Sequence, residues 1–129
     1  MTTLYHYTCA HGCQAIGEEG LLQPLRVLMP REQRVGWEPW RLPIADLIWL
    51  TDLNVPFREA LGLTSYSLGC DRTTYRYRVT DASLCQPYVK VRRQLPRQLR
   101  IQLESAEGVM PRHWWVSLAP VPVVYDTPL

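Results

Sequence analysis

Residues 4–22 read LYHYTCAHGCQAIGEEGLL, and the period of the apolar positions changes partway through. Around Leu4, Tyr5 and Tyr7 the pattern alternates weakly, which predicts a short first strand over Thr2–Tyr7. From Ala10 onward, Ala10, Cys13 and Ile16 recur at helical spacing, and Thr8 is placed to cap the first turn. Gly20 stands where a helix ends in a left-handed residue, and Leu21-Leu22 return the chain to the core. A strand running straight into a helix makes an all-helical or all-strand chain untenable. The class is α+β.

The same stretch holds two histidines and two cysteines between positions 6 and 13. A structural zinc site needs two paired halves. Cys9 and Cys13 form one pair, but Cys70 and Cys85 are far apart and supply no second. Cys13 also shares the apolar face of Ala10 and Ile16, where a cysteine packs as a small hydrophobe. Free cysteines without metal are therefore expected. His6 has two readings. It immediately precedes a helix N-terminus, whose free N–H groups and dipole favour anionic or polar ligands; alternatively it is a core histidine bonded to a backbone carbonyl.

The rest of the chain fits one domain, residues 1–129. No apolar run approaches the ~20 residues that cross a bilayer, and the N-terminus lacks a basic-then-apolar leader pattern. A cytoplasmic setting and reduced thiols are the expectation, with no membrane partner. Residues 23–46 contain Pro24, Pro30, Gly36, Pro39 and Pro43 and read as a long loop. Leu47–Thr51 is a compact strand, followed by a turn over Asp52–Asn54 and a short helix from Pro56 through Ala60. Thr73–Thr80 alternates as a strand, with Tyr75, Tyr77 and Val79 on one face and Arg76 and Arg78 on the other. Val89 and Val91 suggest a neighbouring strand. Leu95, Leu99 and Leu103 predict a helix over Gln94–Glu107, on which Glu104 and Glu107 read as surface charges. Trp114–Leu118 is a strong strand with its two tryptophans on opposite faces. Pro120 and Pro122 make the following segment an edge strand or an extended tail.

The net charge is only +2, but the cations are gathered. Eight basic residues fall between Asp71 and Arg100, against two acids, a distribution that suits either phosphates or a solvated face. No G-x-S-x-G elbow or phosphate-binding glycine loop occurs, so hydrolase and nucleotide-triphosphatase readings have no support.

LYHYT with its helix and IGEEGLLQP, then IWLTD and REALGLTS, resembles the ADP-ribosyltransferase superfamily. That superfamily includes diphtheria-toxin-like transferases, poly-ADP-ribose polymerases, DNA-targeting DarT-like toxins and tRNA 2′-phosphotransferases. The resemblance implies a split mixed β-sheet with short flanking helices, and NAD as substrate. His6 matches the first-strand histidine that bonds an NAD ribose hydroxyl. Tyr7 stands where a glycine is common, and Thr8 at the small hydroxyl position after it. IWLTD matches the strand before the nicotinamide-stacking helix, so Trp49 and Thr51 are expected beside the cofactor. Arg72, at the entry to the basic strand, suits either a pyrophosphate or an ion pair with Asp71 or Asp52. PRHWWVS resembles the late strand that opens with a catalytic glutamate, and there this chain has His113.

The implied function is transfer of ADP-ribose from NAD to a protein or nucleic-acid acceptor, with His6 and His113 as catalytic residues. An RNA 2′-phosphotransferase-like enzyme is the alternative on the same fold. So is a non-enzymatic inhibitor or binding module. No metal is implied by any of them.

Overall fold

Strands supply the frame. The computed structural model describes residues 2–8, 13, 14, 16, 17, 20–24, 35, 36, 46–55, 58–61 and 75–126. Among these, β1 (Tyr5–Thr8), β2 (Leu21–Leu22), β3 (Ile48–Thr51), β4 (Tyr75–Val79), β5 (Gln86–Pro87), β6 (Trp114–Ser117) and β7 (Val121–Tyr125) form one sheet. Its order is β2-β7-β4-β1-β3-β6-β5. Among the described residues, helices with defined bounds are α1 (Arg58–Leu61), α2 (Tyr88–Val91) and α3 (Arg97–Glu104), with 3-10 turns at Arg92–Gln94 and Pro111–His113. The chain is α+β.

Every pairing among the described strands is antiparallel, which corrects the expectation of a mixed sheet. A parallel pair needs a crossover that carries the chain back to its starting end. Here the longest helical excursion among the described residues, α2 to α3, leaves β5 and returns into β6, which pairs antiparallel beside it.

Alternation assigns the two faces. Leu22, Ile48, Leu50, Tyr77, Val79, Val121 and Val123 form a core on one face, with Ile16 and Cys85 against them. Cys13, Gln14 and Ile16 are helical, and Gly17 N–H donates to Cys13 O as the expected helix requires. On the other face Leu47, Tyr88, Trp114 and Val116 pack with Trp49, Val91, Leu95 and Leu103. Tyr88 and Leu99 are sealed from solvent, each burial favouring folding by about 1.5–3 kcal/mol. As expected, Trp114 and Trp115 go to opposite cores.

Four further expectations are corrected. Val89 and Val91 lie in or beside a helix, not a strand: Pro87 caps α2, and Tyr88 and Val91, one turn apart, both turn to the second core. The helix read over Gln94–Glu107 is limited to Arg97–Glu104, with Pro96 as its N-cap. Arg76 is not on a solvated face but is 8% exposed. β7 is no tail or edge, since β2 and β4 flank it. The first strand is also displaced, to Tyr5–Thr8 from the expected Thr2–Tyr7, so Thr8 is its last residue. Cys9, Arg72 and the greater part of the proline-rich loop lie outside the described residues.

Candidate functional site

The sheet brings together three segments distant in sequence. β1 carries His6, β3 ends at Thr51 with Asp52 next in the chain, and β6 begins just after His113; β3 lies between the other two. Register fixes the faces. His6 is cross-strand to Tyr77 and therefore shares the first core's face with it and with Thr8. Tyr7, cross-strand to Arg76, and Trp49 and Thr51, cross-strand to Val116 and Trp114, take the opposite face.

His6 is half-buried, and its Nδ1–H donates to the carbonyl of Trp49 at 2.8 Å. That bond locks the imidazole across the β1–β3 seam. Tyr77, its cross-strand neighbour, also lines a cavity of about 590 Å³ with Cys13, Gly17, Gly20, Val123 and Tyr125. Tyr77 OH donates to Cys13 Sγ at 3.0 Å on the wall of that cavity. Burial pushes the Tyr77 phenol up to about 12, the neighbouring Cys13 adding to the shift.

His113 has a partner that sequence reasoning missed. Its Nδ1 lies 2.6 Å from Asp52 Oδ1, and the indole N–H of Trp115 donates to Asp52 Oδ2 at 3.3 Å. Arg112 Nε–H points at His113 Nε2, 3.3 Å away. An ionised carboxylate and a guanidinium leave a single consistent assignment: Nδ1 carries the proton and Nε2 the lone pair. This is the tautomer of a general base, oriented by a carboxylate that is itself held by an indole. The only hint in sequence was the aspartate closing IWLTD. Its 61-residue distance from the histidine gave no reason to join them.

The backbone around the pair is tied down. Thr51 Oγ1–H donates to His113 O at 2.8 Å and accepts from Leu53 N–H, and Asp52 N–H also donates to His113 O. Tyr7 OH donates to Leu53 O at 3.0 Å, and Arg76 Nη1 to Asn54 O at 2.7 Å. Burial raises the Tyr7 phenol above its ordinary value, against the opposing influence of Arg76. Three of the expected site residues, Tyr7, Thr51 and Trp49, thus shape the loop and strand that hold Asp52. Trp49 packs in an aromatic cluster with Tyr88 and Trp114, at centroid distances of 5.7 and 5.9 Å.

Trp115 belongs to the core on the His6 face, so the carboxylate it binds opens at the margin of that same face. Two strand spacings and two residues along the strand separate His113 from His6, roughly 12 Å between Cα atoms. Each imidazole is held by its own Nδ1 partner, Trp49 O or Asp52, and at that spacing the two can contact different parts of one extended ligand. Glu104, expected as a surface charge, instead accepts from Tyr88 OH and pairs with Arg92 at 3.1 Å. Among the described residues no cluster of three or more His, Cys, Asp or Glu side chains could hold a metal ion, and no helix is long and apolar enough to cross a membrane. Set against protein-family models, curated proteins and solved structures, the chain finds no match in any of the three.

Proposed function

We propose that this protein binds NAD and transfers its ADP-ribose to an acceptor, with His113 as proton acceptor and Asp52 behind it. One observation carries the reading. The three segments that resemble the superfamily's motifs, LYHYT, IWLTD and PRHWWVS, lie on adjacent strands β1, β3 and β6. Nothing in their sequence separation requires that.

The chemistry follows from the tautomer. The bond between the nicotinamide nitrogen and ribose C1′ breaks, its electron pair neutralising the pyridinium, and the sugar acquires oxocarbenium character. The acceptor's oxygen or nitrogen forms the new bond to C1′ and gives its proton to His113 Nε2. Asp52 stabilises the resulting imidazolium through Nδ1–H. Arg112, exposed, turns away to free Nε2. His6 orients the ribose from β1, on the far side of β3.

Purified protein incubated with NAD should release nicotinamide, with single-stranded DNA, RNA or protein offered as acceptor. His113→Gln should lower turnover about 10²–10⁴-fold, the usual worth of a positioned base, and leave NAD affinity nearly unchanged. His6→Ala should weaken NAD binding by about 1–3 kcal/mol. Absence of nicotinamide release with every acceptor class, together with absent NAD binding, overturns the reading.

A further inference from the structure

A second cavity, of about 340 Å³, opens between the α2 segment and α3 and is lined by Arg92, Arg97, Arg100, Ile101, Glu104 and Ser105. The lining thus holds three arginines and one glutamate. That carboxylate is already engaged, because Glu104 Oε2 accepts from Tyr88 OH and from Arg92 Nε and Nη2. Arg97 and Arg100 have no ion pair among the described residues, and Arg100 Nε is buried without a hydrogen-bond partner. A guanidinium donor held away from water and left unmatched is costly unless something brings an acceptor to it. Planar guanidinium forks match phosphate oxygens.

We propose that this cavity holds a backbone phosphate of a single-stranded nucleic acid. The surroundings favour a strand over an isolated anion. Lys90 on α2 and Arg93 just after it are exposed and extend the positive surface beyond the cavity, while exposed Ile101 offers an apolar rest for a sugar or base. α2, which leads into Arg92, packs on the Pro111–His113 turn, so a strand that leaves the cavity along α2 comes to the turn that carries His113. The inference rests on the proposed transfer chemistry in one respect only: it makes the strand the acceptor.

Binding of a fluorescently labelled single-stranded 12-mer, followed by anisotropy from 50 to 300 mM salt, tests it. The wild-type affinity should fall steeply with salt, and Arg97→Gln with Arg100→Gln should weaken binding at least ten-fold. Each lost phosphate contact should flatten the log–log salt slope by about 0.7. Arg97→Gln alone, at an exposed position, should act in the same direction without altering the melting temperature, which separates lost contact from lost fold. Inorganic phosphate and a mononucleotide serve as competitors. Equal occupancy by these small anions, with no gain from the strand, overturns the nucleic-acid assignment; so does binding indifferent to both arginines. Strand binding that depends on the arginines, in a protein that releases no nicotinamide, leaves this site standing and removes the transferase reading instead.

Discussion

Arg76 shows what a single side chain can do against its sequence pattern. Placed between Tyr75 and Tyr77, it belongs by alternation to a basic outer face, yet it is enclosed. Its Nη1 donates to Asn54 O, its Nη2 meets Asp126 at 3.2 Å, and its guanidinium lies 4.7 Å from the Tyr5 ring centre. Desolvation alone would lower its pKa, but Tyr7 and Asp126 more than offset that and hold it above the ordinary value. The residue ties β4, the C-terminal end of β7 and the loop after β3 into one unit. Arg76→Met should therefore cost about 2–4 kcal/mol, since Asn54 O and Asp126 lose their donor together. Chemical unfolding should show this as a lower urea midpoint at unchanged slope, and Asp126→Asn should cost less because Asp126 is partly solvated. An unmoved midpoint for Arg76→Met would mean that water replaces the guanidinium freely.

At the scale of elements, β2 depends on one glycine. Gly20 has φ +63°, and a Cβ there would stand 2.6 Å from Val123 O, while Val123 N–H donates to Gly20 O at 2.7 Å. Gly20→Ala combines a left-handed backbone with a clash against a paired strand and should cost about 1–3 kcal/mol. Amide exchange should locate the damage: Val121 and Val123 should lose protection while β3 and β6 keep theirs. The strands at the centre were legible because LYHYT, IWLT and WWVS carry local patterns that burial then respects. β7 was not, because Pro122 signals an edge. Its missing donor falls opposite Thr80, one residue past the end of β4, so the ladder loses nothing, and Thr80 N–H uses the Pro122 carbonyl. α2 was misread because its valines favour strands; the decisive contribution is Tyr88, whose burial is a tertiary fact.

Across the whole molecule, the candidate site was half legible. His6 and His113 stand out by motif, but the Asp52 carboxylate that orients His113 comes from strand pairing, which no local pattern announces. The same distribution of groups over two cores makes stability depend on alkaline pH. Burial raises the phenols of Tyr77, on the first core, Tyr88, on the second, and Tyr7, between β1 and the loop after β3. For Tyr77 the value reaches about 12. An unfolded phenol titrates near pH 10, so above that point the unfolded chain loses protons that the folded chain keeps. The folded state then binds more protons, and stability must fall as pH rises. The contribution of each of these tyrosines is complete below about pH 10 and is lost progressively above it, for Tyr77 as pH rises to about 12. Urea midpoints should be level between about pH 7.5 and 9.5 and drop steeply above about pH 10, with phenolate absorbance growing in step with unfolding. Tyr77→Phe removes one titrating phenol along with its bond to Cys13, so its midpoint should start lower and decline less steeply. A parallel decline in wild type and variant would show that Tyr77 titrates in the folded chain as it does when unfolded.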